Sequence, residues 1–302
     1  MPLLALGLVT AATFGLATLA AWRYPRTGAS PADVRPALSA ARSVGEELAR
    51  SRRLLNLERR LDPRAATGLA LTLALAAVIG GGLALGVLAY LMRTSATLTE
   101  IDSWVADWGA EHAGETSQAV LEALTLLGDT AVVIGLAVVL AAVEYVRRPN
   151  RWIVAFLVTV IAGQNVLTNA VKDLLDRARP TLNPLAETLG PSFPSGHAAT
   201  AAAFWAAAAL VLGRGRGPRM RALLAGGAVT IAVTVAATRV LLDVHWLSDV
   251  VAGLGFGWAW FAACAIAFGG RFLRFGAAAE VAERVAEQAE EAAPPRPTDA
   301  SP

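Results

Sequence analysis

The sequence predicts an all-α protein, a polytopic membrane helix bundle with a six-helix core and one N-terminal transmembrane helix. Hydrophobic residues occupy 55% of the 302 positions, and a mean hydropathy of +0.51 is too high for an ordinary soluble domain of this size. The apolar residues also fall into seven long runs with few charges, each a candidate span. These runs are 3–22, 66–92, 130–146, 152–172, 195–213, 222–241 and 247–268.

The runs divide the chain into four parts. Residues 1–22 would form the N-terminal transmembrane helix, 23–65 an arginine-rich linker, and 66–268 the six-helix core. Residues 269–302 would form a tail that is partly disordered, because its end is rich in proline and poor in large apolar side chains.

The distribution of arginine predicts how the spans cross the membrane. Segment 23–65 contains ten arginines and five acidic residues, and the connections 147–151 and 214–221 are also basic, whereas 93–117 is acidic. Basic connections stay in the cytoplasm. We therefore expect a multi-pass protein of the inner (plasma) membrane, with its N-terminus outside and the tail from residue 269 inside.

The first apolar run has an alternative interpretation as a cleaved signal peptide. Such a peptide begins with positive charge, whereas this run begins with Met-Pro and is followed by Arg23 and Arg26. The order of charges favours an uncleaved helix whose N-terminus lies outside.

Smaller features predict local structure between and within the spans. Ile101, Trp104, Val105 and Trp108 have helical spacing, which indicates a short helix in the outer interface, either an aromatic anchor or the border of a lipid entrance. Three further predictions concern individual positions. Asp129 is expected to cap a helix N-terminus, Gly253 and Gly257 are expected to form a face for close helix packing, and His112 is expected to lie at the surface.

Three polar segments interrupt the apolar runs at predicted helix ends. They are Lys172 to Arg179-Pro180, then Pro194-Ser195-Gly196-His197, and finally Thr238-Arg239 with His245 and Asp249. The predicted topology places all three at the extracytoplasmic face. Lys172 is the only lysine among 26 basic residues, which suggests that its position requires a compact ammonium group.

The cations of these segments predict an anion site. Lys172 and Arg179 are seven residues apart and share a face if their helix continues that far. Arg239 could reach the same pocket, whereas we expect Arg177 to be an interfacial anchor. Such a positive pocket disfavours a divalent metal, so no metal site is expected.

The second segment begins a long alanine-rich helix. Ser195 at the cap, Gly196 beside it and the free amides of a helix N-terminus favour a bound anion. His197 would lie in the first turn, next to that anion.

The third segment contains a histidine and a carboxylate on one helical face. His245 and Asp249 are at positions i and i+4, so the carboxylate can accept the imidazole N–H and fix its tautomer. The other ring nitrogen would then be available as a nucleophile or a base. The arginines follow the topology and form no continuous stripe, so nucleic-acid binding is not expected.

Together the three segments resemble the signature motifs of the type 2 phosphatidic acid phosphatase superfamily, which includes membrane lipid phosphatases and soluble haloperoxidases. The resemblance covers about 66–268. One departure is visible: Thr238 occupies a position that is usually serine, and the hydroxyl is retained.

The resemblance implies roles for individual residues. His245 would attack phosphorus and form a phosphohistidine, oriented by Asp249, and His197 would protonate the leaving oxygen and then activate water. The phosphoryl oxygens would be held by Lys172, Arg179, Ser195, Gly196 and Arg239. No cofactor would be needed.

We therefore expect a lipid phosphatase whose partners are the bilayer and a lipid phosphate, either a polyprenyl diphosphate such as the undecaprenyl carrier or a glycerolipid phosphate. A phosphotransferase that passes the phosphoryl group to a sugar or lipid hydroxyl remains an alternative that the motifs do not separate. A lipid transporter or flippase is disfavoured, because its charges should lie near the midplane rather than at one face.

Overall fold

The computed structural model describes residues 2–23, 66–112, 114–147, 149–180 and 190–272. Within these ranges the chain is helical and contains no strand, so the predicted all-α class is confirmed. The predictions for the linker, apart from Arg23, and for nearly all of the tail lie outside the described residues.

The described helices coincide with the seven predicted spans and add two more. They are α1 (Pro2–Arg23), α2 (Ala66–Thr94), α3 (Ala96–His112), α4 (Glu115–Thr125), α5 (Thr130–Arg147), α6 (Arg151–Leu175), α7 (Gly196–Leu212), α8 (Pro218–Leu241) and α9 (Leu247–Phe272). Helices α1, α5, α6, α8 and α9 are each long and apolar enough to cross a membrane alone. Helix α2 bends by 86° into α3, and α7 is a shorter apolar helix of 17 residues.

Helix α7 is the centre of the bundle. Most of its alanines are buried, and because their side chains are small, α8 and α9 can pack close to its backbone. A Cβ atom added to Gly253 would lie 2.5 Å from the Ser195 carbonyl oxygen, and one added to Gly257 would lie 2.3 Å from that of Ala199. The predicted close-packing face is confirmed.

The apolar core on the other side of α7 is built mainly from α5, α6 and α9. Phe156 and Val160 of α6 pack with Val133 and Phe204. One polar group crosses this region with its hydrogen bonds satisfied: Gln164 accepts from the Thr200 hydroxyl at 2.9 Å and donates to Thr168 at 2.8 Å.

Helix α1 lies antiparallel to α8. The hydroxyls of Thr10 and Thr234 are 3.0 Å apart, and farther along the pair Thr18 packs against Gly226. At the other end Leu6 belongs to a buried cluster with Leu242. The N-terminal end of α1 therefore lies where α8 ends.

Helix α3 extends beyond the predicted short helix. Its Trp104 side chain is 68% exposed and Ile101 is 43% exposed, whereas Val105 packs in a buried cluster and Asp102 is buried. Helix α4 was not predicted, because its 11 residues carry too weak an apolar pattern to separate it from a loop. His112 is exposed and stacks on Trp108, as expected for a surface residue.

The contact between α7 and α9 generates a stability prediction. In Gly257→Ala the new methyl group would overlap the α7 backbone, so we expect a loss of roughly 1–3 kcal/mol in the free energy of unfolding. Thermal unfolding in detergent, followed by tryptophan fluorescence, measures the loss. Gly255→Ala on the same helix is the matched control, because a Cβ there meets no atom within 4 Å, and it should unfold at the wild-type temperature or slightly above. Equal melting temperatures for both variants would contradict the close packing.

Candidate active site

The predicted site residues meet at one end of the bundle, where α6 and α8 end and α7 and α9 begin. Lys172 lies in the last turn of α6, Ser195 caps α7, Gly196 and His197 start that helix, Arg239 lies in the last turn of α8, and Asp249 lies in the first turn of α9. Arg179 and His245 occupy the connecting segments, so His245 does not share a helical face with Asp249 as the sequence predicted, because the helix begins only at Leu247. The three polar segments are therefore in mutual contact, although they are far apart in sequence.

Arg179 reaches the site from a loop, not from a helix face. The sequence left open whether the helix of Lys172 continues as far as Arg179; in the structure α6 ends at Leu175, and Asp176 then takes the left-handed conformation with φ of 41°. Arg179 donates hydrogen bonds to the carbonyls of Gly190, Pro191 and Val244, at 2.7–3.2 Å. These bonds fix the guanidinium against the His245 loop.

The contact between Arg179 and His245 defines the state of the imidazole. Nη1 of Arg179 lies 3.2 Å from Nε2 of His245. A guanidinium has only donors, so Nε2 must be the accepting nitrogen and Nδ1 must carry the proton. Nδ1 lies 3.5 Å from Oδ2 of Asp249, too far for a well-formed hydrogen bond, and has no hydrogen-bond partner among the described residues. That separation is long, as it often is in catalytic pairs before substrate binds.

Asp249 is fully buried and connects several parts of the site. Its Oδ2 accepts from the Trp246 amide at 3.0 Å, and its Oδ1 accepts from Nη1 of Arg177 at 2.5 Å. Its backbone carbonyl accepts from the amide of Ser195, which ties the start of α9 to the start of α7. The carboxylate therefore faces His245 with one oxygen and Arg177 with the other.

Arg177 is not the interfacial anchor that the sequence suggested. Besides Asp249, it pairs with Asp102 of α3 through Nη2 at 2.8 Å, and its guanidinium lies 5.5 Å from the centre of the Trp246 ring. Asp102 also accepts from the amide and hydroxyl of Ser248. Sequence reasoning missed this network, because Asp102 lies far in sequence from the three polar segments, and Ser248, although it lies within the third, was not singled out.

The start of α7 and the end of α8 supply donors for an anion. The Ser195 hydroxyl is buried and makes no capping hydrogen bond, and Nε of Arg239 is also buried; neither has a hydrogen-bond partner among the described residues. Buried donors are normally paired. An oxyanion at the N-terminus of α7 would pair both and would also meet the amides of its first turn.

Arg239 is hydrogen-bonded to a residue of α4. Its Nη1 donates to the Thr125 hydroxyl at 3.3 Å, and Thr125 is buried at the end of that helix. Helix α4, which was not predicted, thus helps to position a predicted cation.

His197 packs close to the turn before α5. A Cβ on Gly128 would lie 2.7 Å from the His197 carbonyl oxygen, so glycine is needed at that position. Asp129 follows and accepts from the amides of Ala131 and Val132, which confirms its predicted role as an N-cap. His197 interacts electrostatically with Lys172, Arg239 and His245, so it faces the same pocket.

Comparison with known proteins shows the family of this chain. The sequence profile of the PAP2 superfamily matches residues 152–272. Phosphatidylglycerophosphatase B of Bacillus subtilis is 30% identical over 143 residues, which cover 46% of this chain and 68% of that protein. The chain belongs to the PAP2 superfamily.

The PAP2 chain is also similar to a solved structure and to a second named protein. A crystal structure of a transmembrane PAP2 type phosphatidylglycerolphosphate phosphatase from Bacillus subtilis superposes with a TM-score of 0.58 at 25% identity, covering 66% of this chain and 98% of that one. Lipid A 1-phosphatase of Rhizobium etli is 37% identical over 120 residues, or 36% of this chain. The chain spans about half the length of that relative, 47%.

The electrostatics of the site favour a neutral His245. Burial lowers the pKa of His245 to about 4, and the cations Arg179 and Arg239 act in the same direction, against the opposing effect of Asp249. Burial also lowers the pKa of Arg179. His245 is therefore an uncharged imidazole at neutral pH.

The state of His245 generates a prediction for the pH dependence of the PAP2 chain. Protonation of the buried imidazole is unfavourable, so the active neutral form should persist as pH falls and be lost only near pH 4. Profiles of kcat/KM against pH, recorded with two lipid phosphates whose own pKa values differ, isolate the limb that belongs to the enzyme. A shared acid limb near the ordinary histidine value of about 6.5 would contradict a desolvated His245.

The unpaired donors generate a binding prediction. Orthovanadate, a phosphate mimic, should raise the melting temperature, with about 2.7 kcal/mol of stabilisation at 100 times its Kd. Arg239→Gln should abolish most of this rise because it removes a buried donor, whereas Arg216→Gln, at the opposite end of α7, should preserve it. An equal rise in both variants would place the anion elsewhere.

Proposed function

We propose that this protein is an integral membrane lipid phosphatase that hydrolyses a lipid phosphomonoester or diphosphate at the extracytoplasmic face through a phosphohistidine. The observation that carries the proposal is the orientation of His245, whose Nδ1 faces Asp249 and whose Nε2 faces the anion-binding side of the pocket beside Arg179. A neutral imidazole in this tautomer is a nucleophile, and the cations around it attract the phosphate that it attacks.

In the first step, Nε2 of His245 forms a bond to phosphorus as the bond between phosphorus and the lipid oxygen breaks. His197 gives its proton to that oxygen, so the lipid leaves as an alcohol, or as a monophosphate when the substrate is a diphosphate. Asp249 stabilises the positive charge that develops on the His245 ring.

In the second step, His197 accepts a proton from water, and the water oxygen attacks phosphorus. The bond from Nε2 to phosphorus breaks, and inorganic phosphate leaves with His197 protonated again. No electrons are gained or lost, and each histidine returns to its starting state.

The remaining site residues stabilise the phosphoryl oxygens. Arg179, Arg239 and Lys172 surround the pocket, and Ser195 with the Gly196 amide lies at the N-terminus of α7. Loss of one such donor in a preorganised site costs about 3–4 kcal/mol of transition-state stabilisation.

A lipid substrate fits the position of the site. The pocket lies at helix ends, and α3 beside it exposes Trp104 and Ile101. Side chains of this kind are typical of the bilayer interface. The names of the relatives, lipid A 1-phosphatase and phosphatidylglycerophosphatase B, support a lipid phosphate as the substrate class. A polyprenyl diphosphate and a glycerolipid phosphate both meet these requirements.

Hydrolysis by purified protein tests the activity. With EDTA present, phosphate release from undecaprenyl diphosphate, phosphatidic acid and phosphatidylglycerophosphate should occur and should fall by at least about 1,000-fold in His245→Ala, which removes the nucleophile. His112→Ala, which changes an exposed histidine on α3, is the matched control and should keep wild-type rates. Retention of more than about a tenth of the rate in His245→Ala would overturn the mechanism.

Cysteine labelling tests the side of the membrane. Glu111 is exposed on α3, near the end of α8 that carries Arg239, and Arg216 lies in the turn between α7 and α8 at the opposite end. An impermeant maleimide should label Glu111→Cys in intact cells and Arg216→Cys only after lysis. The native Cys264 is buried and gives little background. The reverse pattern would place the site in the cytoplasm.

A further inference from the structure

The ion-pair network behind Asp249 extends beyond the three polar segments. Arg177 donates through Nη1 to Oδ1 of Asp249 at 2.5 Å and to the Ser248 hydroxyl at 2.8 Å, and through Nη2 to Asp102 at 2.8 Å. Asp102 in turn accepts from the Ser248 amide at 2.9 Å and from its hydroxyl at 2.5 Å. Both carboxylates are buried, Asp249 completely and Asp102 to all but 4%.

The two carboxylate oxygens of Asp249 face different partners. Oδ2 faces Nδ1 of His245, and Oδ1 is taken by Arg177. Arg177 makes its hydrogen bonds to carboxylate, hydroxyl and sulfur groups on the side of Asp249 away from His245. Its influence on the nucleophile therefore passes through the carboxylate.

Charge explains why such a partner is needed. A buried carboxylate that loses its partner is strongly unfavourable. Asp249 also lies within electrostatic range of Lys172 and Arg179, the cations expected to hold phosphate. Arg177 neutralises the negative charge of Asp249 through its Oδ1, so this carboxylate does not require Lys172 or Arg179 as its ion-pair partner.

Asp102 explains why Arg177 keeps its position. A guanidinium has a rigid fork of donors, and here one nitrogen is occupied by each carboxylate, while the Trp246 ring lies against its plane. Because Asp102 belongs to α3, a helix outside the segment matched by the family profile, this helix becomes part of the site.

We propose that Arg177 and Asp102 are positioning residues: Arg177 compensates and orients Asp249, and Asp102 of α3 holds Arg177 in place. This inference rests on the proposed function, in which Asp249 orients the His245 nucleophile. It adds two residues and one helix to the parts of the chain that set the rate.

The test compares Arg177→Gln and Asp102→Asn with matched controls that remove the same charges elsewhere. Arg216→Gln removes an arginine at the opposite end of the bundle, and Asp107→Asn removes an exposed carboxylate from α3 itself. Phosphate release in detergent should show kcat reduced roughly 10- to 100-fold in the two network variants, with KM changed by less than about threefold, because misorientation slows the chemical step. Both controls should keep wild-type kcat.

The acid limb of the pH profile of kcat/KM distinguishes a role in positioning Asp249 from a general loss of folded protein. The charged and titratable groups around His245 are Asp249 of α9, Arg179 of the loop after α6, Arg239 of α8 and His197 of α7. Arg177→Gln leaves the negative charge of Asp249 without its cation. The protonated form of His245 is then more stable, so the pKa of His245 rises and the acid limb should move to higher pH. Asp102→Asn removes a negative charge and should move the limb to lower pH or leave it in place.

Stability supplies a readout that does not depend on activity. Arg177→Gln should lower the melting temperature, and the added change Asp249→Asn should restore part of the loss, because it removes the unpaired buried charge. If wild-type protein releases no phosphate from any lipid, the proposed function fails, and this rescue alone decides whether Arg177 compensates Asp249.

Three results would overturn the proposal. One is a loss of activity that parallels the loss of folded protein, with the acid limb in its wild-type place in both variants. Another is a rise in KM without a fall in kcat, which would mean that Arg177 binds phosphate directly. The third is a double variant no more stable than Arg177→Gln.

Discussion

The buried carboxylate of Asp249 is the group on which the rest of the site depends. A charge removed from water must be paired and hydrogen-bonded, and the structure satisfies this requirement with the Trp246 amide and Arg177, while Nδ1 of His245 lies 3.5 Å from the carboxylate. These partners come from different segments. The same carboxylate thus brings together the His245 loop, the loop after α6 and, through Arg177, the helix α3.

Backbone packing places that carboxylate beside the anion site. The Asp249 carbonyl accepts the Ser195 amide, so the start of α9 and the start of α7 are joined directly. This contact requires the two helices to approach closely along their length, which Gly253 and Gly257 permit because they carry no Cβ. The small residues between α7 and α9 therefore also keep the ends of these helices together, because a wider helix spacing would separate the His245 loop from Ser195.

The positions of the helices and several local features of the site could be predicted from the sequence, whereas contacts between distant segments could not. Long apolar runs predict helices directly, so a helix lies within a few residues of each of the seven predicted spans. The spacing of His245 and Asp249 predicted that they lie close together, but His245 lies in the loop before α9 and not on its helical face. Asp129 and Gly257 were likewise readable, because capping and close packing depend on local sequence. Whether Arg179 lies on α6 or after it could not be predicted, because the apolar pattern does not show that this helix ends at Leu175. The pairing of Arg177 with Asp102 depends on tertiary contacts between residues 75 positions apart, which no local pattern encodes.

The central claim is that Nε2 of His245 becomes covalently phosphorylated, and trapping that species is the most direct test. The substrate is undecaprenyl diphosphate labelled in its terminal phosphate, and the protein is His197→Ala. The leaving monophosphate of this substrate needs little protonation, so the first step should proceed while hydrolysis of the intermediate stalls. The account predicts acid-labile, alkali-stable label on the peptide that contains His245, and none in His197→Ala/His245→Ala. Label of the same stability that persists without His245, or phosphate release with no label on the protein, would contradict it.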